Sequence, residues 1–207
     1  MNNTQAIALV AGGSWASGVN LYLTVAGLGI AHRLEWITLP GDAEAIAHPL
    51  IIGLAVLLYI IEFFADKIPF VDSIWDSFHT LIRPAGSAAL GYMASANMGH
   101  SAQLPIALIC GTIALDSHLT KATTRAAINT SPEPFTNSIA SVTEDIGVMG
   151  TLYLIIKHPA VITVLVIVFF ILSLWFLKIM FRFVKKLFQK KKTKTSSSLK
   201  PQKTNYR

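Results

Sequence analysis

Two carboxylates, an imidazole and a guanidinium recur at helical spacing in one stretch: Asp72, Asp76, His79 and Arg83. Residues three and four apart share a helix face, so these four point one way while Val71, Ile74, Trp75, Phe78 and Ile82 take the other. Lys121, Arg125 and Asn129 repeat the pattern, and Asn137, Ser141, Glu144 and Asp145 form a third stripe. Such groups relay protons, pair with carboxylate or phosphate, or ligate divalent ions. These residues are the candidate substrate- or ion-binding set, and none is assigned a catalytic role. Glu62, Asp66 and Lys67 read instead as interfacial charges at a helix end. His32, His48, His100 and His158 fall at turns.

The surroundings make the stripes unusual. The 207 residues are 53% hydrophobic and 14% charged, with mean hydropathy +0.54. A soluble domain carries nearer a quarter charged residues, so the composition places the chain in a membrane. There an ionisable group is costly and turns toward a cavity or another charge. The net charge of +6 comes from the tail: eleven bases and no acid follow Leu177, whereas the body holds six bases and all eleven acids. The basic signal therefore says nothing about nucleic acid. Cys110 is the single cysteine, which excludes an internal disulfide. The first residues lack the positive region of a cleaved signal peptide. No phosphate-binding loop, GxSxG, CxxC or dinucleotide fingerprint occurs. Ser14, Ser73 and Ser138 have no partner base in the pattern, and no cofactor is implied.

The elements expected to position the stripes are all helical. The reading is an all-α membrane protein with about six to seven membrane helices, short or re-entrant segments included. A helix from about Ser14 to Leu34 breaks near Gly12-Gly13; a second runs Ile46–Ala65. Asp72–Arg83, closed by Pro84, is about 18 Å long and too short to cross a core of about 30 Å. A small-residue helix follows at Gly86–Met98. Leu104–Leu115 begins another that continues in polar form to Asn129. Asn137–Ile156 is a further candidate, and Ala160–Leu177 is eighteen residues without a charge. The basic flank after it belongs on the cytoplasmic side, which predicts a multi-pass inner-membrane protein with a cytoplasmic C-terminus.

Two motifs recur in order. Pro69-Phe70-Val71-Asp72-Ser73-Ile74 matches Pro134-Phe135-Thr136-Asn137-Ser138-Ile139, and Gly13-Ser14-x-Ala16-x-Gly18 matches Gly86-Ser87-x-Ala89-x-Gly91. This suggests a duplicated membrane domain over 1–158, with repeats at about 6–84 and 85–158 and expected to be inverted. An extra C-terminal helix at 159–183 and a basic disordered tail at 184–207 complete the organisation.

Four groups of residues carry a resemblance. They are Ala16-Ser17-Gly18-x-Asn20-x-Tyr22-Leu23-Thr24; Glu62-Phe63-x-Ala65-Asp66-Lys67-Ile68-Pro69 with Asp72, Trp75-Asp76, His79 and Arg83-Pro84-Ala85-Gly86; Lys121-x-x-x-Arg125-x-x-x-Asn129; and Ser141-x-x-Glu144-Asp145. Over roughly residues 10–158 the chain resembles a family of small bacterial integral membrane proteins catalogued as a domain of unknown function, family four-one-two-six. The resemblance implies a membrane protein and contributes no catalytic residues; the helix from Ala160 looks like an addition to it.

Three functions fit these features. A small secondary transporter or translocase would use the paired carboxylates with Lys121 and Arg125 to carry an anionic solute or lipid head group. A non-catalytic assembly or lipid-binding factor would use the stripes to pair with a partner helix. An intramembrane metal-dependent enzyme would ligate its ion through Asp72, Asp76, His79 and Glu144. The expected partners are membrane lipids, an anionic small molecule or lipid phosphate, and a second copy of the chain.

Overall fold

A computed structural model describes residues 3–68, 70–130 and 134–198. Among the described residues seven α-helices follow in order: α1 Asn3–Val19, α2 Leu21–Arg33, α3 Pro49–Ala65, α4 Val71–Ala94, α5 His100–Ile128, α6 Pro134–Lys157 and α7 Pro159–Ser198. Short 3-10 turns occupy Gly41–Ala47 and Ala96–Met98. No strand occurs among the described residues.

The first helical stretch breaks at Asn20, not at the glycine pair. Asn20 is extended (φ −150°, ψ 99°) and its side-chain oxygen accepts from Leu23 N at 3.0 Å, capping α2. Gly12 and Gly13 lie inside α1, where a Cβ at Gly12 would sit 3.0 Å from Ile155 and Ile162. Their small size serves helix packing. Leu9 of α1 and Leu28 of α2 share one buried cluster, so the two helices fold back into a hairpin with Asn20 at its tip.

Pro84 does not end a helix. It lies within α4, which joins the polar stripe and the small-residue segment into one helix of 24 residues, about 36 Å long. The missing N–H is tolerated because α4 packs along α5 more extensively than any other pair of elements. The boundary drawn at 84/85 therefore falls inside α4. The two Pro-Phe motifs open α4 and α6, both of 24 residues, although Pro69 itself and residues 131–133 lie outside the described residues. Both helices begin beside Asn129, which bonds Asp72 and Asn137. Both end at the cluster around Leu9 and Leu28, where Met93 and Ile155 pack. The two helices therefore run parallel.

Among the described residues three helices are long and apolar enough to cross a membrane: His100–Ile128, Phe135–Lys157 and Pro159–Phe183. A fourth candidate exists if Gly41–Ala47 and α3, bent by 66°, form one span. The chain is thus an all-helical membrane protein. α4 has the length but carries Asp72, Asp76 and Arg83. Its apolar face points outward, with Phe78 68% and Leu81 79% exposed. Polar residues inside and large apolar ones outside is the pattern of a helix bundle solvated by lipid.

α7 starts beside α1, where Ile162 approaches Gly12, and Ser173 meets Asp116 of α5 farther along. Its basic end therefore emerges at the end of the bundle that holds Asn129. The helix is drawn past Phe183 to Ser198; the Lys-, Leu- and Gln-containing segment after Phe183 has good helix formers. Residues 199–207 lie outside the described residues.

Candidate charge-network site

The stripes of α4, α5 and α6 meet α3 and the tip of the α1–α2 hairpin in one buried polar core. Its centre is Arg83, wholly buried, with Nη2 2.8 Å from Glu62 Oε1 and Nη1 3.4 Å from Asp76 Oδ1. Arg83 Nη1 also donates to Gly18 O at 3.2 Å and to His118 Nδ1 at 2.8 Å. A guanidinium has no acceptor, so His118 Nδ1 accepts and the ring is neutral. Its Nε2 faces the Thr80 hydroxyl at 3.0 Å, which in turn donates to Asp76 O.

Lys121 extends the network. Its Nζ lies 2.9 Å from Asp66 Oδ2, 3.3 Å from Glu144 Oε2 and 3.7 Å from Glu62 Oε1, and donates to Val19 O at 3.3 Å. Gly18 and Val19 are the last residues of α1, so Arg83 and Lys121 sit on its carbonyl end, where the helix dipole favours cations. The single-residue break at Asn20 is what frees those carbonyls.

Arg125 holds Glu144 in a two-pronged contact, Nε to Oε1 at 3.0 Å and Nη2 to Oε2 at 2.7 Å. It also lies 3.4 Å from Asp66 Oδ2 and donates to the Asp66 and Asn137 carbonyls. Asn137 Nδ2 donates to Asn129 Oδ1 at 2.9 Å, and Asn129 Nδ2 donates to both oxygens of Asp72 at 3.0 and 2.9 Å. A chain of polar contacts thus runs from Arg83 to the end of the bundle.

The other candidates flank this core. His79 donates from Nδ1 to Trp75 O at 2.8 Å, since a carbonyl only accepts, and faces the Tyr22 hydroxyl through Nε2 at 3.0 Å. Ser141 is buried and lies 3.4 Å from Lys67 Nζ. Asp145 accepts from Asn20 Nδ2 at 3.2 Å and from the Tyr59 hydroxyl at 3.0 Å.

Glu62 and Asp66 differ from expectation: they are not interfacial charges but the anionic heart of the network, 0% and 4% exposed. Their shared face at i and i+4 was the available signal. His118 stands three residues before Lys121 on the face already marked by Arg125 and Asn129. Asn20 and Tyr22 stood out only within the motif that carries the resemblance, and Tyr59 gave no signal, because one amide or phenol in apolar sequence has no period.

Four carboxylates (Glu62, Asp66, Asp76, Glu144) face three cations (Arg83, Lys121, Arg125) in the ion pairs. Unused bonding capacity lies mostly with the acids: among the described residues, Glu62 Oε2, Asp66 Oδ1 and both Asp76 oxygens are buried without a hydrogen-bond donor. No group of three or more His, Cys, Asp or Glu side chains among the described residues is placed to hold a metal ion. The metal-enzyme reading has no ligand set there.

The family described as Domain of unknown function (DUF4126) matches residues 7–179. The match includes the start of α7, so the helix from Ala160 is part of the family domain rather than an addition. No curated protein and no solved structure matches the chain. The chain belongs to this family.

Proposed function

We propose that this member of the domain-of-unknown-function family is a proton-coupled secondary carrier of a small anion, worked by exchange on the Arg125 guanidinium. The observation that supports this is the position of Glu144. Its side chain is 18% exposed, whereas every other partner in the ion pairs is at 5% or less. Glu144 is the least buried carboxylate of the ion pairs, and in this reading it is the one that meets water. A proton moving from water onto Glu144 cancels its charge and loosens its hold on Arg125 and Lys121. The Nε–Nη2 edge of Arg125 then faces two vacated acceptor positions. A carboxylate or phosphate fits that edge in the same two-pronged geometry. Proton and anion load together, so the net charge of the site stays constant. The undonated oxygens of Glu62, Asp66 and Asp76 offer the proton further stations inward.

In this reading α3 to α7 each cross the inner membrane, and the α1–α2 hairpin re-enters from the face opposite the basic tail. The cytoplasmic side is the one that holds Asn129 and the basic end of α7. α4 and α6 make a parallel repeat.

One observation favours a second reading, a non-catalytic assembly factor. The three cations are already matched by carboxylates, so the network ties the helices together without a ligand. Proteoliposomes separate the two. With an inward proton gradient, labelled phosphate is taken up in the carrier reading. Arg125→Ala abolishes that uptake, and Glu144→Gln leaves exchange but removes the dependence of uptake on the gradient. Folded protein that moves no phosphate supports the assembly reading.

A further inference from the structure

On the outer surface, α2, α3 and α6 leave a groove of about 690 Å³. Ala26 and Gly27 keep its floor low, and a Cβ at Gly27 would reach within 2.3 Å of Leu152 Cδ1. Val56 (37% exposed) and Met149 (53%) form outward-facing walls among other apolar side chains. The groove is polar only at its ends. One end holds Trp36, Tyr153 and Lys157; the other holds Tyr59, whose hydroxyl donates to Asp145 at 3.0 Å.

From Asp145 to Lys157 along α6 is about 18 Å, close to the roughly 15 Å of one leaflet of hydrocarbon. Trp and Tyr beside Lys mark the level of lipid head groups, where an ammonium meets phosphate. The groove therefore has the length, wall chemistry and terminal charge of a single lipid in one leaflet.

We propose that this groove seats an anionic phospholipid from the bilayer. Its phosphate rests on Lys157 beside Trp36 and Tyr153, and one acyl chain runs over Gly27 to Tyr59. There the chain shields the Tyr59–Asp145–Asn20 bonds and closes the side of the charge network to water. The inference does not depend on the carrier reading, because its test reads binding alone.

Full-length protein in detergent is titrated with phosphatidylglycerol, phosphatidylcholine or glycerol phosphate and observed by native mass spectrometry. Phosphatidylglycerol is retained about fivefold better than phosphatidylcholine, the worth of one lysine against an anionic head group. Glycerol phosphate is not retained. Lys157→Gln removes the preference between the lipids and keeps the residual binding of both; Val56→Trp, at an exposed wall position, removes both. Wild-type protein without retained phosphatidylglycerol, or with retention unchanged in both variants, overturns the proposal.

Discussion

Arg83 Nη2 lies 2.8 Å from Glu62 Oε1 with both side chains wholly buried, joining α4 to α3. Removing one partner strands the other charge away from water. Glu62→Ala is expected to lower stability by about 3–5 kcal/mol, while Glu62→Met with Arg83→Met and Asp76→Leu, which leaves none of the three charges behind, recovers most of that loss. Thermal unfolding in detergent checks the order. A triple variant no more stable than the single one rejects the account.

At Asn20 two roles separate by substitution. Asn20→Ser keeps an acceptor for Leu23 N but loses the bond to Asp145, whereas Asn20→Asp keeps the cap and sets a second carboxylate against Asp145. The aspartate variant is expected to be the less stable of the two, by about 1–3 kcal/mol at neutral pH. Acidification narrows the gap, because protonating either carboxylate relieves the repulsion. A gap independent of pH argues against it.

Glycine size matters at one position and not at another. A Cβ at Gly18 would fall 2.2 Å from Ala114 O, a backbone atom, and would push α1 off α5 and its own carbonyl off Arg83. Gly53 has open space around it. Gly18→Ala is expected to cost about 1–3 kcal/mol or more through overpacking, and Gly53→Ala to be neutral or slightly stabilising. Equal melting temperatures for the two variants contradict the close approach.

Membrane topology follows from the helix directions. In a Cys110→Ser background, single cysteines at Glu35 and Thr130 are expected to react with an impermeant thiol reagent from opposite sides of the membrane. Reaction of both from the same side removes the topology proposed for α3 to α5.

The polar stripe of α4 was legible because Asp72, Asp76, His79 and Arg83 keep a strict helical period in apolar sequence, and each is buried in the structure. The face carrying Lys121, Arg125 and Asn129 was legible for the same reason. Pro84 misled because local rules end a helix there, and only packing against α5 shows why it continues. Glu62 and Asp66 looked peripheral since they close a helix in sequence, and burial of a helix end depends on what folds over it. Here that is the carbonyl end of α1, which becomes available only because the chain reverses at Asn20. No periodicity encodes a reversal produced by one capped residue.

The α1–α2 hairpin enters and leaves at the same end of the bundle, opposite the one where α7 carries its basic residues. Its tip is gripped by Arg83 and Lys121, so the hairpin is anchored where it turns rather than where it enters.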